Sequence, residues 1–147
     1  MKKIILTTTL LLTICSISFG QELVKDITPG IKGSDFLKIF SSGSYNLTYM
    51  VVKDSAHGYE LWRTGGSAAN TYMVKDINPG VADAFNTFVQ VDIVSLGNKI
   101  VFAADDGVNG MELWTSNGST VGTAMLKDIK VGSSSSAPRY FINFKNE

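Results

Sequence analysis

An internal repeat constrains the fold of this chain more than any other feature of its sequence. Residues 58–80 align with residues 110–132 at a shift of 52, without a gap and with 12 of 23 positions identical. A shorter copy, residues 23–30 (LVKDITPG), precedes residues 73–80 (MVKDINPG) by 50 positions. A period near 50 residues predicts that the chain uses one supersecondary unit more than twice.

Each period alternates short apolar runs with turn residues, and no segment after the first 20 residues has a helical period. The predicted strands are residues 100–104, 111–115 and 123–129, and in the preceding copy residues 49–52, 59–63 and 71–77. A fourth strand is predicted over residues 87–94, with residues 36–40 as its counterpart in the partial first copy. Asn117-Gly118 is a strong hairpin signal.

Four short antiparallel strands in about 50 residues are typical of one blade of a β-propeller. The sequence therefore predicts an all-β fold of antiparallel, four-stranded, blade-like repeats in a partial, open propeller-like array. A β-solenoid or a string of small sandwich modules is the alternative. Solenoid coils are usually shorter, and a sandwich module needs about seven strands.

The domain organisation follows from the same alignment. We expect a leader over residues 1–20 and a repeat region over residues 21–147. The repeat region comprises a partial repeat (21–47), a repeat (48–99) and a repeat that ends incomplete (100–147). Closed propellers have about four to eight blades. We therefore expect either a truncated member of a longer type of protein, or chains that self-associate through open sheet edges.

The first 20 residues have the pattern of a secretory signal peptide. Lys2 and Lys3 precede an uncharged stretch of 16 residues, 4–19, which is shorter than the ~20 residues that span a bilayer. Ser18 and Gly20 supply small residues for cleavage after Gly20. An uncleaved anchor, or lipidation of Cys15, is the alternative. The pattern predicts a secreted or cell-surface protein without an integral membrane span after cleavage.

Composition excludes several classes of function. The chain has 13 Lys and Arg residues against 13 Asp and Glu residues, and without the two leader lysines it has 11 against 13. This balance gives no general electrostatic case for nucleic acid. Cys15 and His57 are the only cysteine and histidine. A disulfide scaffold, a Cys/His zinc site and most nucleophile–histidine catalysis are therefore excluded, and we expect no cofactor and no metal.

The repeated motifs resemble the ELWxxDGT repeat family of large exported bacterial proteins, many from Bacteroidetes. The resemblance rests on residues 102–107 (FAADDG), 110–114 (GMELW), 58–62 (GYELW) and 74–80 (VKDINPG). It implies an exported, propeller-like repeat protein and no established enzymatic reaction. The family's Asp-Gly-Thr is Gly-Gly-Ser at residues 65–67 and Asn-Gly-Ser at residues 117–119, so both copies lack its acidic residue.

The Glu-Leu-Trp tripeptides at residues 60–62 and 112–114 are the most distinctive elements. A tryptophan that recurs at one strand position is more often a plug between neighbouring sheets than a platform for sugar rings. We expect the glutamate before each tryptophan to face the opposite side of the strand, paired with a solvent-side lysine or a turn amide. A catalytic carboxylate pair of Glu60 and Glu112 is chemically conceivable but disfavoured.

The Lys-Asp pairs at residues 25–26, 75–76 and 127–128 have two interpretations. One is a charged binding track. The favoured interpretation is a strand end at which the aspartate accepts hydrogen bonds from the following turn. Residues 105–110 resemble a calcium loop, but they lack its ligand spacing and closing glutamate, so we predict a turn. His57, which takes the place of Asn109, is then a turn residue.

We therefore expect an exported, non-enzymatic repeat module, a cell-surface or extracellular binding or scaffold element with an unknown extracellular ligand or surface partner. The alternative is a fragment of a carbohydrate-binding or carbohydrate-active propeller, whose glutamates and tryptophans would face the ligand. The residues expected to carry the repeat structurally are Glu60, Leu61, Trp62, Lys75, Asp76, Glu112, Leu113, Trp114, Lys127 and Asp128.

Overall fold

The computed structural model describes residues 23–30, 33–42 and 46–144, so the predicted leader and its cleavage site lie outside the described residues. The strands are β1 (Asp35–Ser42), β2 (Leu47–Lys53), β3 (Tyr59–Thr64), β4 (Tyr72–Lys75), β5 (Ile93–Leu96), β6 (Lys99–Asp105), β7 (Met111–Ser116) and β8 (Ala124–Lys127). One 3₁₀ turn, Ala68–Asn70, precedes β4. The all-β prediction is confirmed.

The strands form two four-stranded antiparallel sheets, β1-β2-β3-β4 and β5-β6-β7-β8, each with neighbours in chain order. Neither of these sheets is closed, because β1 and β4, like β5 and β8, remain edge strands. No helix in the described part of the chain is long and apolar enough to cross a membrane.

The repeat shift of 52 residues reappears in the strand register. Met50 pairs with Trp62 in the first sheet, and Phe102 pairs with Trp114 in the second. The pairing of β3 with β4 is irregular after Leu61, and the pairing of β7 with β8 is irregular after Leu113. The last three strands of each sheet therefore have the same pairing register and the same site of irregularity.

The first strand of each sheet departs from this shift. The β1–β2 hairpin closes at the pair Ser42 and Leu47, whereas β5–β6 closes at Leu96 and Lys99. The second hairpin is tight because Gly97 adopts φ +58°, which a two-residue turn requires and glycine tolerates. The first connection is two residues longer, so β1 and β5 are related by 54 positions instead of 52.

One buried cluster joins the two sheets. Tyr49, Val51 and Leu61 of the first sheet and Phe102 and Trp114 of the second belong to it. A smaller cluster lies on the first sheet, where Met50, Val52 and Trp62 are packed by Ile27 and Met73. The N-terminal copy of the repeat thus covers the first sheet through Ile27.

The predicted strands over residues 49–52, 59–63, 100–104, 111–115 and 36–40 are confirmed within β2, β3, β6, β7 and β1. Two predicted strands are too long: residues 71–77 and 123–129 contain only β4 and β8, each ending at its lysine.

The predicted strand over residues 87–94 is wrong for most of its length, since β5 begins only at Ile93. The Phe88 N–H donates to the Asn86 side-chain oxygen at 2.8 Å, and the Phe88 ring is exposed. A local turn thus replaces ladder pairing at this point.

Candidate functional site

The glutamates of the two Glu-Leu-Trp tripeptides bind the loop that follows the last strand of their own sheet. Glu60 accepts hydrogen bonds from the N–H groups of Ile77 (2.8 Å) and Asn78 (3.1 Å). Glu112 accepts the equivalent bonds from Ile129 (2.8 Å) and Lys130 (3.4 Å). These loop amides have left the strand ladder, so each carboxylate supplies the acceptors that the ladder no longer provides.

Both glutamate side chains are fully buried, which corrects the expectation of a partner on the solvent side. Residues 60 and 62 are two apart on a strand whose pairing with β2 is regular, so they share one face. The prediction that the glutamate and the tryptophan face opposite sides of the strand is therefore wrong. The alternative partner, a turn amide, is the one observed.

The two carboxylates differ in one neighbour. Ser136 donates its hydroxyl (2.7 Å) and its N–H (3.0 Å) to Glu112. The corresponding residue in the first repeat is Ala84, which has no hydroxyl. Ala84 and Ser136 otherwise behave alike, because each donates its N–H to the carbonyl of the first residue of β3 or β7.

The pKa values of the two glutamates therefore shift in opposite directions. Burial raises the pKa of Glu60 to about 7, against the lowering effect of its two N–H bonds. Burial also acts to raise the pKa of Glu112, but the hydrogen bonds from Ser136 and from the loop amides outweigh it, so this pKa is lowered. The carboxylates thus share a structural role but differ in how strongly the folded state favours the charge.

The prediction that the aspartates of the Lys-Asp pairs cap the following turn is wrong. The turn amides are already bound to Glu60 and Glu112. One carboxylate oxygen of Asp76 and the equivalent oxygen of Asp128 are buried without a hydrogen-bond partner among the described residues. A glutamate 17 residues before the first turn amide, Glu60 or Glu112, caps the turn instead of the aspartate.

Both tryptophans are buried. Trp114 lies in the cluster shared by the two sheets, as expected for a plug between them, and Trp62 lies in the smaller cluster beside Ile27. Leu61 is fully buried, whereas its counterpart Leu113 is half-buried. The tryptophan rings thus contribute apolar packing area and present no open stacking platform in this structure.

Comparison with protein-family models, with curated proteins and with solved structures finds no match to this chain.

Lysines of the repeat link successive copies. The Lys25 ammonium donates to the Thr71 carbonyl at 2.8 Å, and the Lys75 ammonium donates to the Thr123 carbonyl at 3.1 Å. Lys75 also lies over the ring of Trp114, 5.7 Å from its centroid. Neither interpretation of the Lys-Asp pairs included this contact, and the sequence has no signal for it because a backbone carbonyl can belong to any residue type.

The loops between the second and third strands repeat a turn held by an aspartate. Asp54 accepts from the N–H of Ala56 and of His57 at 2.7 Å, and its carboxylate also contacts the His57 ring at 2.8 Å. Asp106 makes the equivalent bonds to the N–H of Asn109 and to its side-chain amide, at 2.7 and 2.8 Å. His57 is therefore a turn residue, as predicted.

This geometry uses the carboxylates that a calcium loop would need as ligands. Among the described residues, no group of three or more His, Cys, Asp or Glu side chains could hold a metal ion. The hydrogen bond to Asp54 raises the pKa of His57. Burial acts to raise the pKa of Asp54, but the bonds from His57 and Ala56 prevail and lower it.

A cavity of about 470 Å³ lies between the loop over residues 85–92 and the segment over residues 137–140. Phe85 and Met111 contribute apolar walls, and Asp92 and Arg139 contribute charged ones. The Asp92 carboxylate accepts the Tyr140 N–H at 2.7 Å and so fixes one wall. Sequence reasoning missed this cavity because its two halves are far apart in the chain.

Proposed function

We propose that this chain is an exported, non-enzymatic repeat module whose blade-like sheets stack in an open, propeller-like array, as a cell-surface or extracellular binding or scaffold element. The main support for the proposal is that the repeated carboxylates are used for hydrogen bonds inside the protein. Glu60 and Glu112 are fully buried and each binds two loop amides of its own repeat. Because these residues make the same internal hydrogen bonds in each copy, we assign them a structural role in the repeat.

The contacts between copies support a stacked array. Lys25 and Lys75 make the same bond to the next copy, and Trp114 packs between the sheets. The described copies therefore contact one another in chain order, an arrangement that is typical of repeat proteins. The leader pattern at residues 1–20 supports export, and the resemblance to exported repeat proteins supports a surface location.

A glycan array tests the proposal against the alternative of a carbohydrate-binding fragment. The probes are the wild type and the Trp62→Phe and Trp114→Phe variants, each checked for folding by circular dichroism. We expect no glycan binding that depends on Trp62 or Trp114. Both variants should unfold at a lower urea concentration than the wild type. A glycan that binds the wild type and is lost in a folded tryptophan variant would contradict the proposal.

Export is tested separately with alkaline phosphatase fused after residue 147, since this reporter needs disulfides that form outside the cytosol. We expect phosphatase activity and a mature N-terminus at Gln21. Ser18→Glu should block processing, because a large charged side chain does not fit the cleavage pattern. A fusion without activity, or one processed identically in both forms, would refute the leader assignment.

A further inference from the structure

The surface around β8 matches a surface that the first sheet buries. Val74 in β4 and Ile77, two residues after β4 ends, are 0% and 3% exposed because they belong to the cluster shared with the second sheet. Their counterparts Leu126 and Ile129 are 55% and 53% exposed. We name Leu126, Lys127 and Ile129 the β8 patch.

Lys127 occupies the position from which Lys25 and Lys75 reach the next copy. Those two ammonium groups donate to the carbonyls of Thr71 and Thr123. Lys127 is exposed, and among the described residues no hydrogen bond or ion pair is formed by its ammonium group. The β8 patch therefore combines exposed apolar side chains with an unused donor, both in the arrangement that holds one copy on the next.

The complementary surface lies on the first sheet, next to Trp62 and the Thr71 carbonyl. Residues 23–30 cover it, with Ile27 in the cluster of Trp62 and Lys25 on the Thr71 carbonyl. Residues 25–27 and 127–129 have the same sequence, Lys-Asp-Ile. The β8 patch thus carries the side chains that this surface already accepts.

Residues 23–30 are also less buried than the segment around β4 that they match. Leu23 is 79% exposed and Val24 is 42% exposed, whereas Val74, the counterpart of Val24, is fully buried. The segment contains no strand in the structure, so it lacks the ladder bonds that anchor β4. A competing Lys-Asp-Ile segment that continues directly from a strand, as residues 127–129 do from β8, would have the advantage of that anchoring.

We propose that the β8 patch docks a second copy of this chain, head to tail, on the surface around Trp62 and Thr71, displacing residues 23–30 of that copy. The contact is heterologous, so successive chains can extend it as the repeats extend within one chain. The inference rests on the stacking part of the proposed function and adds the partner and the two surfaces.

Sedimentation velocity over a concentration series of the exported full chain tests the patch. Leu126→Asp places a charge in the proposed interface, and Val108→Asp is the control, because Val108 is an exposed apolar residue in the β6–β7 turn. We expect concentration-dependent association of the wild type, weakened at least roughly tenfold by Leu126→Asp and unchanged by Val108→Asp. A wild type that stays monomeric throughout, or equal effects of both variants, would overturn the proposal.

A cross-linking experiment tests the partner surface. One chain carries Lys127→Cys and the other carries Asn70→Cys, next to Thr71, both in a Cys15→Ser background. A short bis-maleimide should join these two chains, and it should not join Val108→Cys to Asn70→Cys. Association without this cross-link would refute the assigned surface. The glycan and export experiments do not depend on either result, so the proposed function fails or stands separately.

Discussion

Two glutamates at equivalent positions differ in the charge state that the folded chain favours. Burial raises the pKa of Glu60 above its ordinary value, so ionisation of this group opposes folding. The stability it contributes is full below about pH 4.5 and is lost as the pH rises through about 7. The pKa of Glu112 is lowered, so its contribution is present above its ordinary pKa and is lost as the pH falls.

The variants Glu60→Gln and Glu112→Gln should therefore respond to pH in opposite ways. Between pH 5 and pH 8, the free energy of unfolding of Glu60→Gln should rise by about 1–3 kcal/mol relative to that of the wild type, because the variant lacks the disfavoured charge. Glu112→Gln should be less stable than the wild type by a nearly constant amount over the same interval, and this deficit should shrink as the pH falls below about 4.5. Urea unfolding at several pH values measures both, and parallel curves for the two variants would show that Ser136 does not distinguish the carboxylates.

His57 gives a second pH dependence at the scale of one residue. Its pKa is raised by Asp54, so the pair stabilises the fold below the ordinary histidine pKa of about 6.5 and loses this contribution as the pH rises through the raised value. His57→Asn reproduces the Asn109 turn without a titrating group. The wild type should be more stable than His57→Asn at pH 5.5, by up to about 1 kcal/mol, and should approach it at pH 8.5.

The matched control for this residue is Asn109→His, which places a titrating ring beside Asp106. It should introduce a similar pH dependence in the second repeat, measured by the same urea titrations. If the difference between His57→Asn and the wild type does not change with pH, the ion pair with Asp54 makes no contribution to folding.

At the scale of elements, the loop after β4 crosses the β2–β3 turn in close contact. A Cβ atom on Gly58 would lie 1.9 Å from the carbonyl oxygen of Ala82, which is backbone and cannot move aside cheaply. Gly58→Ala should cost about 2–3 kcal/mol of unfolding free energy. Gly33→Ala, where a Cβ atom meets nothing within 4 Å, should stay within about 0.5 kcal/mol of the wild type. Equal urea midpoints for the two variants would contradict this packing.

The bond from Lys75 to the Thr123 carbonyl connects β4 with the second sheet. Lys75→Met keeps most of the apolar stem and removes the donor, and it should cost about 1 kcal/mol. Lys99→Met, at the exposed start of β6, is the control and should have little effect. Thermal unfolding compares the two, and a loss at Lys99 as large as the loss at Lys75 would argue against the link.

The sequence predicts these elements unevenly, for physical reasons. Alternation and turn residues locate β2, β3, β6 and β7, since both signals are local. The same signals predict β4 and β8 to be longer than they are. The strands end early because the turn amides bind a glutamate 17 or 18 residues earlier in the chain, and this contact forms only when the chain folds. The extra two residues before β2 and the lysine bonds to carbonyls likewise depend on how the copies stack.

At the scale of the whole molecule, the two sheets share one core, and each sheet contains one tryptophan whose fluorescence can be followed. Trp62 lies in the cluster on the first sheet, and Trp114 lies between the sheets. Trp62→Phe leaves fluorescence from Trp114 alone, and Trp114→Phe leaves it from Trp62. Because Val74 and Ile77 of the first sheet are buried in the shared core, we expect neither sheet to unfold without the other.

We propose that the repeated residues hold the copies together as one stacked unit. Urea unfolding of the two single-tryptophan variants, each followed by fluorescence and by circular dichroism, tests this proposal. We expect one transition in each variant, with both signals at the same midpoint. A fluorescence midpoint separate from the circular-dichroism midpoint would mean that the sheets unfold independently, and would contradict it.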